Sequence, residues 1–169
     1  MEILEVKNVK IAILGDSHNH LEILDQLHEE NRFQGVELIL HTGDMCNDGS
    51  YLEDLTGIKV IGVKGNADPV YTACESEVVL ELEGYKIFLT HGHRYGVKGS
   101  NDRLFYRGKE IGADIVVFGH SHIPLTVEEE NMLLLNPGSI GFPRGLSKKS
   151  YGIVTLGDNI KVDLVEMED

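Results

Sequence analysis

The sequence lacks tryptophan, has only two cysteines among its 169 residues, and carries little positive charge. The two cysteines, Cys46 and Cys74, are too few for a disulfide framework or a cysteine-type zinc site, so we predict that they are reduced thiols. With 15 basic against 28 acidic side chains, the formal net charge is -13. This charge argues against an extended surface for nucleic acid or anionic membrane, although a locally positive site remains compatible with it.

Long apolar runs are also missing. Residues 1–10 carry acids before bases, and the apolar run 11–14 stops at Asp16, far short of a signal-peptide core or a membrane span. We therefore expect a cytoplasmic protein without a membrane partner. Its length and its 41% hydrophobic residues predict one folded domain over residues 1–169.

The order of apolar runs predicts an α/β fold. Buried strands are predicted at residues 9–14, 36–40, 60–63 and 115–118, and helices at 21–33 and about 101–111. Antiparallel pairs are predicted around Glu83-Gly84, for 125–128 against 132–135, and for 151–156 against 160–165. These elements fit a two-sheet mixed β sandwich flanked by helices, with parallel strands first and hairpins later. Segments 45–50 and 94–101 are predicted to be loops that select the substrate.

Histidine is the unusual component. Seven of the eight histidines lie at or near the ends of apolar runs, whereas His28 lies in a predicted helix and is assigned no function. Five motifs follow predicted strands: Asp16-Ser17-His18, Gly43-Asp44, Gly65-Asn66, His91-Gly92-His93 and Gly119-His120-Ser121-His122. Because ligands bind beyond the carboxyl ends of strands in open α/β sheets, we expect these side chains to converge.

The donor types in these motifs indicate a metal centre. Carboxylate, amide and imidazole without thiolate suit Mn²⁺, Fe, Zn²⁺, Co²⁺ or Ni²⁺. Seven donors are too many for one tetrahedral ion, so the simplest interpretation is that the site binds two ions. Each motif alone has an ordinary explanation as a turn or a capped loop, and only the ordered set outweighs it. His41 is expected to pack or to support the site, and Cys46 to pack.

The ordered motifs, together with Asn136-Pro137-Gly138-Ser139 and the following Pro143-Arg144, resemble the calcineurin-like metallophosphoesterases. Within that family the chain is similar to the small single-domain phosphodiesterase branch, and the resemblance covers nearly the whole chain. It implies a four-layer αββα fold. It also implies hydrolysis of a small phosphodiester by a metal-bridging hydroxide.

Carried over residue by residue, the resemblance implies a binuclear centre. Asp16, His18 and His122 would hold one ion, Asn66, His91 and His120 the other, and Asp44 both. A bridging carboxylate would screen the repulsion between two dications. Mn²⁺ is the first expectation, with Ni²⁺, Fe, Co²⁺ and Zn²⁺ as alternatives.

Three residues are predicted to take part in catalysis: His93, His20 and Asn66. The two histidines are candidates for phosphate contact or for protonation of the leaving group. Many relatives have histidine directly after the asparagine of the third motif, where this chain has Ala67, which puts the general acid in doubt. Asp68 and Arg144 are further candidates, with roles in a turn or a solvated loop as their alternatives.

Two other functions stay open at this point. The same fold could serve as a non-catalytic scaffold, similar to a retromer subunit, although none of the seven donor positions is lost here. The chain could also be a phosphomonoesterase or protein phosphatase. This alternative ranks below the diesterase, because the chain has no long insertions to build a groove for a protein substrate. An oligomer is possible, and its size is not predicted.

Overall fold

The computed structural model describes residues 7–168, so residues 1–6 and 169 lie outside the described part. The prediction that residues 1–10 contain no leader therefore falls largely outside it as well. Within residues 7–168, ten strands form two five-stranded sheets with helices on their outer faces. In that part of the chain, no helix is long and apolar enough to cross a membrane.

The first sheet has the strand order β10-β9-β1-β2-β3. Its strands are β1 (Val9–Leu14), β2 (Leu38–His41), β3 (Val60–Gly62), β9 (Ser150–Leu156) and β10 (Ile160–Glu166). The strands β1, β2 and β3 are parallel, while β9 and β10 run antiparallel at the other edge. The carboxyl ends of the three parallel strands therefore lie side by side.

The second sheet has the strand order β4-β5-β6-β8-β7. Its strands are β4 (Glu77–Leu82), β5 (Tyr85–Thr90), β6 (Ile115–Val117), β7 (Leu125–Glu129) and β8 (Met132–Asn136). Both predicted hairpins are present at its edges, β4 with β5 and β7 with β8. Its centre, however, is parallel, since β5, β6 and β8 pair in that sense. Parallel pairs therefore occur in both sheets, and the second sheet is mixed, as predicted for the sandwich.

Three apolar layers hold the sandwich together. Between the sheets, Ile13 and Leu40 pack in one buried cluster with Leu89 and Val117. Two further clusters cover the outer faces. They lie under α1 (Leu21–Glu29) and α2 (Asn47–Thr56) on the first sheet, and under α3 (Asp102–Ile111) on the second. The predicted α/β sandwich with four layers is confirmed.

Two local predictions were wrong. Helix α1 ends at Glu29 rather than at residue 33, because the chain turns there and Asn31 adopts a left-handed backbone with φ of 56°. Segment 45–50 was predicted to be a loop, but α2 begins at Asn47. Its first turn contains Gly49 and Ser50, which have low helix propensity, so contacts with the rest of the fold must stabilise this helix.

Candidate metal centre

All five polar motifs lie at one edge of the sandwich. The first three follow the parallel strands β1, β2 and β3, and the other two follow β5 and β6. The sheet topology therefore brings together side chains that are up to 106 residues apart in sequence, as between Asp16 and His122. The predicted convergence is present in the structure.

Four side chains form a first donor group: Asp16, His18, Asp44 and His122, whose nearest ligand atoms lie within 4.8 Å of one another. Asp16 Oδ1 is 3.2 Å from His122 Nε2, and His18 Nε2 is 3.4 Å from Asp44 Oδ2. The two imidazole Nε2 atoms are also 3.4 Å apart. Such a group offers two carboxylates and two imidazoles to a single point.

The second donor group contains Asp44, His91 and His120, again within 4.8 Å. His91 Nε2 lies 3.3 Å from Asp44 Oδ1 and 3.2 Å from His120 Nδ1. Asn66 Oδ1 joins this group at 3.0 Å from the same nitrogen of His91. The carboxylate of Asp44 therefore faces the first group through Oδ2 and the second through Oδ1.

The orientation of the rings suits a cation. His91 Nδ1 lies 2.8 Å from the carbonyl oxygen of Thr42, and His122 Nδ1 lies 2.5 Å from that of Phe142. A ring nitrogen beside a carbonyl must carry a proton, so in the neutral ring Nε2 presents a lone pair to the other donors. Asp16 Oδ1 is buried without a hydrogen-bond partner among the described residues. Imidazole nitrogens and carboxylates that converge in this way suit a metal ion between them.

Several of these donors sit on strained backbone. Positive φ angles of 45° to 69° occur at five of the seven donor positions: Asp16, His18, Asp44, His120 and His122. Non-glycine residues rarely adopt this region, which costs on the order of 1–3 kcal/mol each. Hydrogen bonds from Asp16 N to Gly43 O and from His120 N to Asp16 Oδ2, both 3.0 Å, help to hold it. Strain concentrated in this way is typical of a functional site.

The family of the chain follows from comparison with known proteins. The model of the calcineurin-like phosphoesterase superfamily domain matches residues 9–159. The chain belongs to this superfamily. It is 37% identical to the probable metallophosphoesterase YsnB of Bacillus subtilis (strain 168), over 88% of this chain and 85% of that protein. It is 28% identical to the phosphodiesterase YfcE of Escherichia coli (strain K12), over 95% and 94% of the two chains.

A solved structure shares this fold. The vacuolar protein sorting 29 structure from Cryptosporidium parvum superposes with a TM-score of 0.82, covering 96% of this chain and 93% of that one, at 21% identity. At this identity the likeness concerns the fold alone. The predicted resemblance to calcineurin-like phosphoesterases is confirmed, and a possible metal-binding cluster lies where the superfamily motifs converge.

Charge in this superfamily member favours a cation at both donor groups. Burial alone would raise the pKa of Asp44, but its hydrogen bond with His91 and the N–H of Ala67 hold that pKa well below its usual range. Burial opposes a charge on His91, yet Asp44 and Asp16 raise its pKa overall. Burial and the neighbouring His91 lower the pKa of His120 to about 4. His120 is thus neutral and ready to coordinate near pH 7.

Metal binding by this superfamily member should therefore weaken in acid. Asp44 and Asp16 raise the pKa of His91, so protons compete with the metal for this ring from above the usual histidine pKa of about 6.5, and the affinity for Mn²⁺ should fall as the pH drops from 8 to 5. Titration calorimetry in two buffers with different ionisation enthalpies should show protons released on binding. A Mn²⁺ affinity that does not change over this range would contradict the expectation.

A buried polar network supports the donors from behind. His41 Nδ1 accepts a hydrogen bond from Gly43 N at 3.1 Å, so its proton is on Nε2, 3.1 Å from Ser17 Oγ. The hydroxyl of Ser17 then donates to Asp48 Oδ2 at 2.6 Å. Burial lowers the pKa of His41 and keeps it neutral. The predicted supporting role of His41 fits this geometry, whereas Ser17 and Asp48 were overlooked because only the fold places α2 beside the first motif.

Ser17→Ala tests this network. The change leaves the N–H of His41 without an acceptor and removes one hydrogen bond to Asp48. The metal affinity should fall about 10- to 100-fold, although Ser17 itself is not a metal ligand. The free energy of unfolding should fall by about 1–3 kcal/mol. The control is Ser50→Ala on the exposed side of α2. Metal titrations and thermal melts of both variants test the prediction. Equal metal affinity and stability of the two variants would refute the supporting role of Ser17.

The other predicted residues occupy distinct places. The ring of His93 lies 5.3 Å from that of His91 and 6.1 Å from that of His120, and its buried Nδ1 has no hydrogen-bond partner within residues 7–168. His20 Nδ1 is 2.8 Å from Glu22 Oε1. Arg144 is exposed, and its backbone N–H donates to His122 O.

Asp68 has a structural role in the loop that follows Asn66. Its Oδ1 accepts the N–H of Cys46 at 2.7 Å, and its Oδ2 accepts that of Gly65 at 2.8 Å. Since both carboxylate oxygens are engaged in this way, the alternative role in a turn fits Asp68 better than that of a proton donor. The same loop overturns the prediction of reduced thiols, because Cys46 and Cys74 form a disulfide. The 28-residue separation gave no sign that this loop folds back onto Cys46.

The late signature at Asn136 to Ser139 proves to be structural support for the motif loops. Asn136 Nδ2 donates to Gly119 O at 3.0 Å, and Ser139 Oγ donates to Asp16 O at 2.8 Å. Both side chains are fully buried. They fix the loops of the first and fifth motifs without facing the donor groups themselves.

Proposed function

We propose that this chain is a divalent-metal-dependent phosphodiesterase with a binuclear centre. The observation that carries the proposal is the position of Asp44, whose two carboxylate oxygens belong to two neighbouring donor groups. Asp16, His18 and His122 would complete the first site, and Asn66, His91 and His120 the second. Mn²⁺ is the expected ion, with Ni²⁺, Fe, Co²⁺ and Zn²⁺ as alternatives that the oxygen and nitrogen donors also suit.

Two such ions, when bound, supply a nucleophile from water near neutral pH and neutralise charge on the phosphate oxygens. The role of the chain is to hold and orient the diester there. His93 is well placed for phosphate contact, because its ring adjoins His91 and His120. Burial, His91 and Arg94 lower the pKa of His93, so it is neutral at pH 7 and donates a hydrogen bond rather than a formal charge.

Protonation of the leaving group has fewer candidates. Ala67 has no side chain that can supply a proton, and it contributes only its backbone N–H to Asp44 Oδ1. His20 stays a candidate, with Glu22 fixing its Nδ1 and leaving Nε2 to exchange a proton. We expect esters with good leaving groups to react best, since these need the least help from an acid.

The name of the YfcE relative and the absence of long insertions support a small diester as substrate rather than a protein phosphate. The likeness to vacuolar protein sorting 29 keeps a scaffold as the second candidate, although it concerns the fold alone. A cytoplasmic location is also proposed. The Cys46–Cys74 disulfide weighs against it, because reducing compartments keep thiols free.

The direct test compares two substrates with one chromophore. Manganese-loaded protein should release nitrophenol from bis-nitrophenyl phosphate much faster than from nitrophenyl phosphate. Faster release from the monoester would indicate a phosphomonoesterase instead. No release from either ester with any first-row metal would favour the scaffold.

A variant of His93 separates phosphate contact from metal binding. His93→Ala should lower turnover about 10²-fold while leaving most of the metal in place, because His93 is outside both donor groups. The matched control is His28→Ala on the exposed side of α1, which should change neither quantity. Loss of the metal from His93→Ala would mean that the division between ligands and phosphate contacts is wrong.

A further inference from the structure

The rim of the site is chemically uneven. Beside the second donor group lie the exposed cations Arg94 and Lys98, close enough to contribute to the lowered pKa values of His93 and His120. Beside the first donor group lies Phe142, whose ring is edge-on to His18 at 5.4 Å and to His20 at 4.8 Å. The rim beside the first donor group therefore carries an exposed aromatic ring.

The backbone of Phe142 is fixed at both of its polar groups. Its N–H donates to Ser139 Oγ at 2.8 Å, and its carbonyl accepts the proton of His122 Nδ1 at 2.5 Å. The preceding Gly141 lies against the first motif so closely that a Cβ there would be 2.7 Å from Ser17 O. The backbone that carries the ring is thus fixed by hydrogen bonds and by the close packing of Gly141.

The ring nevertheless keeps 51% of its surface exposed. An exposed phenylalanine alone is unremarkable, because much protein surface is apolar. Here the ring stands on a fixed backbone, adjoins His18, and belongs to a residue whose carbonyl orients a second donor, His122. A phosphate ester bound through its phosphate oxygens between the two donor groups would place one of its ester groups within reach of the Phe142 ring.

We propose that Phe142 determines specificity by packing against an aromatic ring in the substrate. This inference rests on the proposed function and narrows it to phosphate esters that carry a planar ring next to the phosphate. Aromatic pairs gain about 0.5–1.5 kcal/mol beyond the area they bury, whereas a short alkyl group offers no such partner.

Direct binding to the manganese-loaded protein tests the inference without turnover. The probes are phenyl phosphate and ethyl phosphate, which have the same charge and are products that a diesterase would release. Calorimetry should show Phe142→Ala binding phenyl phosphate about tenfold more weakly, with less than a twofold change for ethyl phosphate. Phe142→Tyr should keep the wild-type preference. Val79→Ala, an exposed apolar residue on β4, is the control for a general surface effect.

The possible failures are distinguishable. Unchanged binding of phenyl phosphate by Phe142→Ala would overturn the inference, and so would equal weakening for both esters, which would assign the ring a positioning role. The metal content of Phe142→Ala should stay at the wild-type value, since the carbonyl that holds His122 is retained. If wild-type protein bound neither ester but still hydrolysed bis-nitrophenyl phosphate, the inference alone would fall, whereas failure in both assays would remove the proposed function as well.

Discussion

Asp44→Ala is expected to abolish phosphodiester hydrolysis, with a loss on the order of 10³-fold or more, and to reduce the content of both metal ions. The reason is that its two oxygens face separate donor groups, so one substitution removes a ligand from each. Removing this carboxylate also leaves five neutral donors and one acidic group to hold two dications. Several kcal/mol of transition-state stabilisation would be lost with the ions.

The measurement is elemental analysis of purified protein together with initial rates at saturating Mn²⁺. Asp54→Ala is the matched control, because it removes an exposed carboxylate from α2. Thermal melts in chelator establish that the variant is folded before its metal content is interpreted. Full activity in Asp44→Ala, or loss of only one ion, would show that the carboxylate does not join two sites.

Much of the fold could be predicted because its central strands are short, buried and continuous in apolar residues. Residues 9–14 and 115–117 show this pattern, and both are strands as expected. Helix α2 could not be predicted, because Asn47, Gly49 and Ser50 are weak helix formers. The buried contacts that stabilise it appear only when the sheet is assembled.

In the candidate site, too, some residues could be predicted from the sequence and others could not. Its donors could be predicted since each follows a strand end, where the sheet topology must gather them. Their support could not, because Asp48 lies on an unpredicted helix and Ser139 meets Asp16 across 123 residues. The disulfide belongs to this second kind, since only the folded loop brings Cys74 to Cys46. Contacts that depend on assembled loops leave no local pattern in the sequence.

Gly65→Ala is expected to damage the centre although glycine has no side chain to contribute. A Cβ at this position would lie 2.6 Å from the backbone nitrogen of Asp44 and closer still to its carboxylate. Gly65 has no positive φ, so space alone requires glycine here. Either the Asp44 carboxylate or the backbone must move, and a displacement of about 1 Å at a reacting centre costs on the order of 10²-fold in rate.

The expected result for Gly65→Ala is an activity loss of about 10²-fold, weaker binding of Mn²⁺, and about 1–3 kcal/mol less stability from overpacking. Gly99→Ala is the matched control, because its Cβ would meet only the Gly96 carbonyl oxygen at 3.7 Å and its φ is also not positive. Rates, metal titrations and melts in chelator are compared for the two alanine variants. If Gly65→Ala matched Gly99→Ala in metal affinity, Asp44 would not depend on the close approach of the third motif, and the packing of these two loops would not set the geometry of the centre.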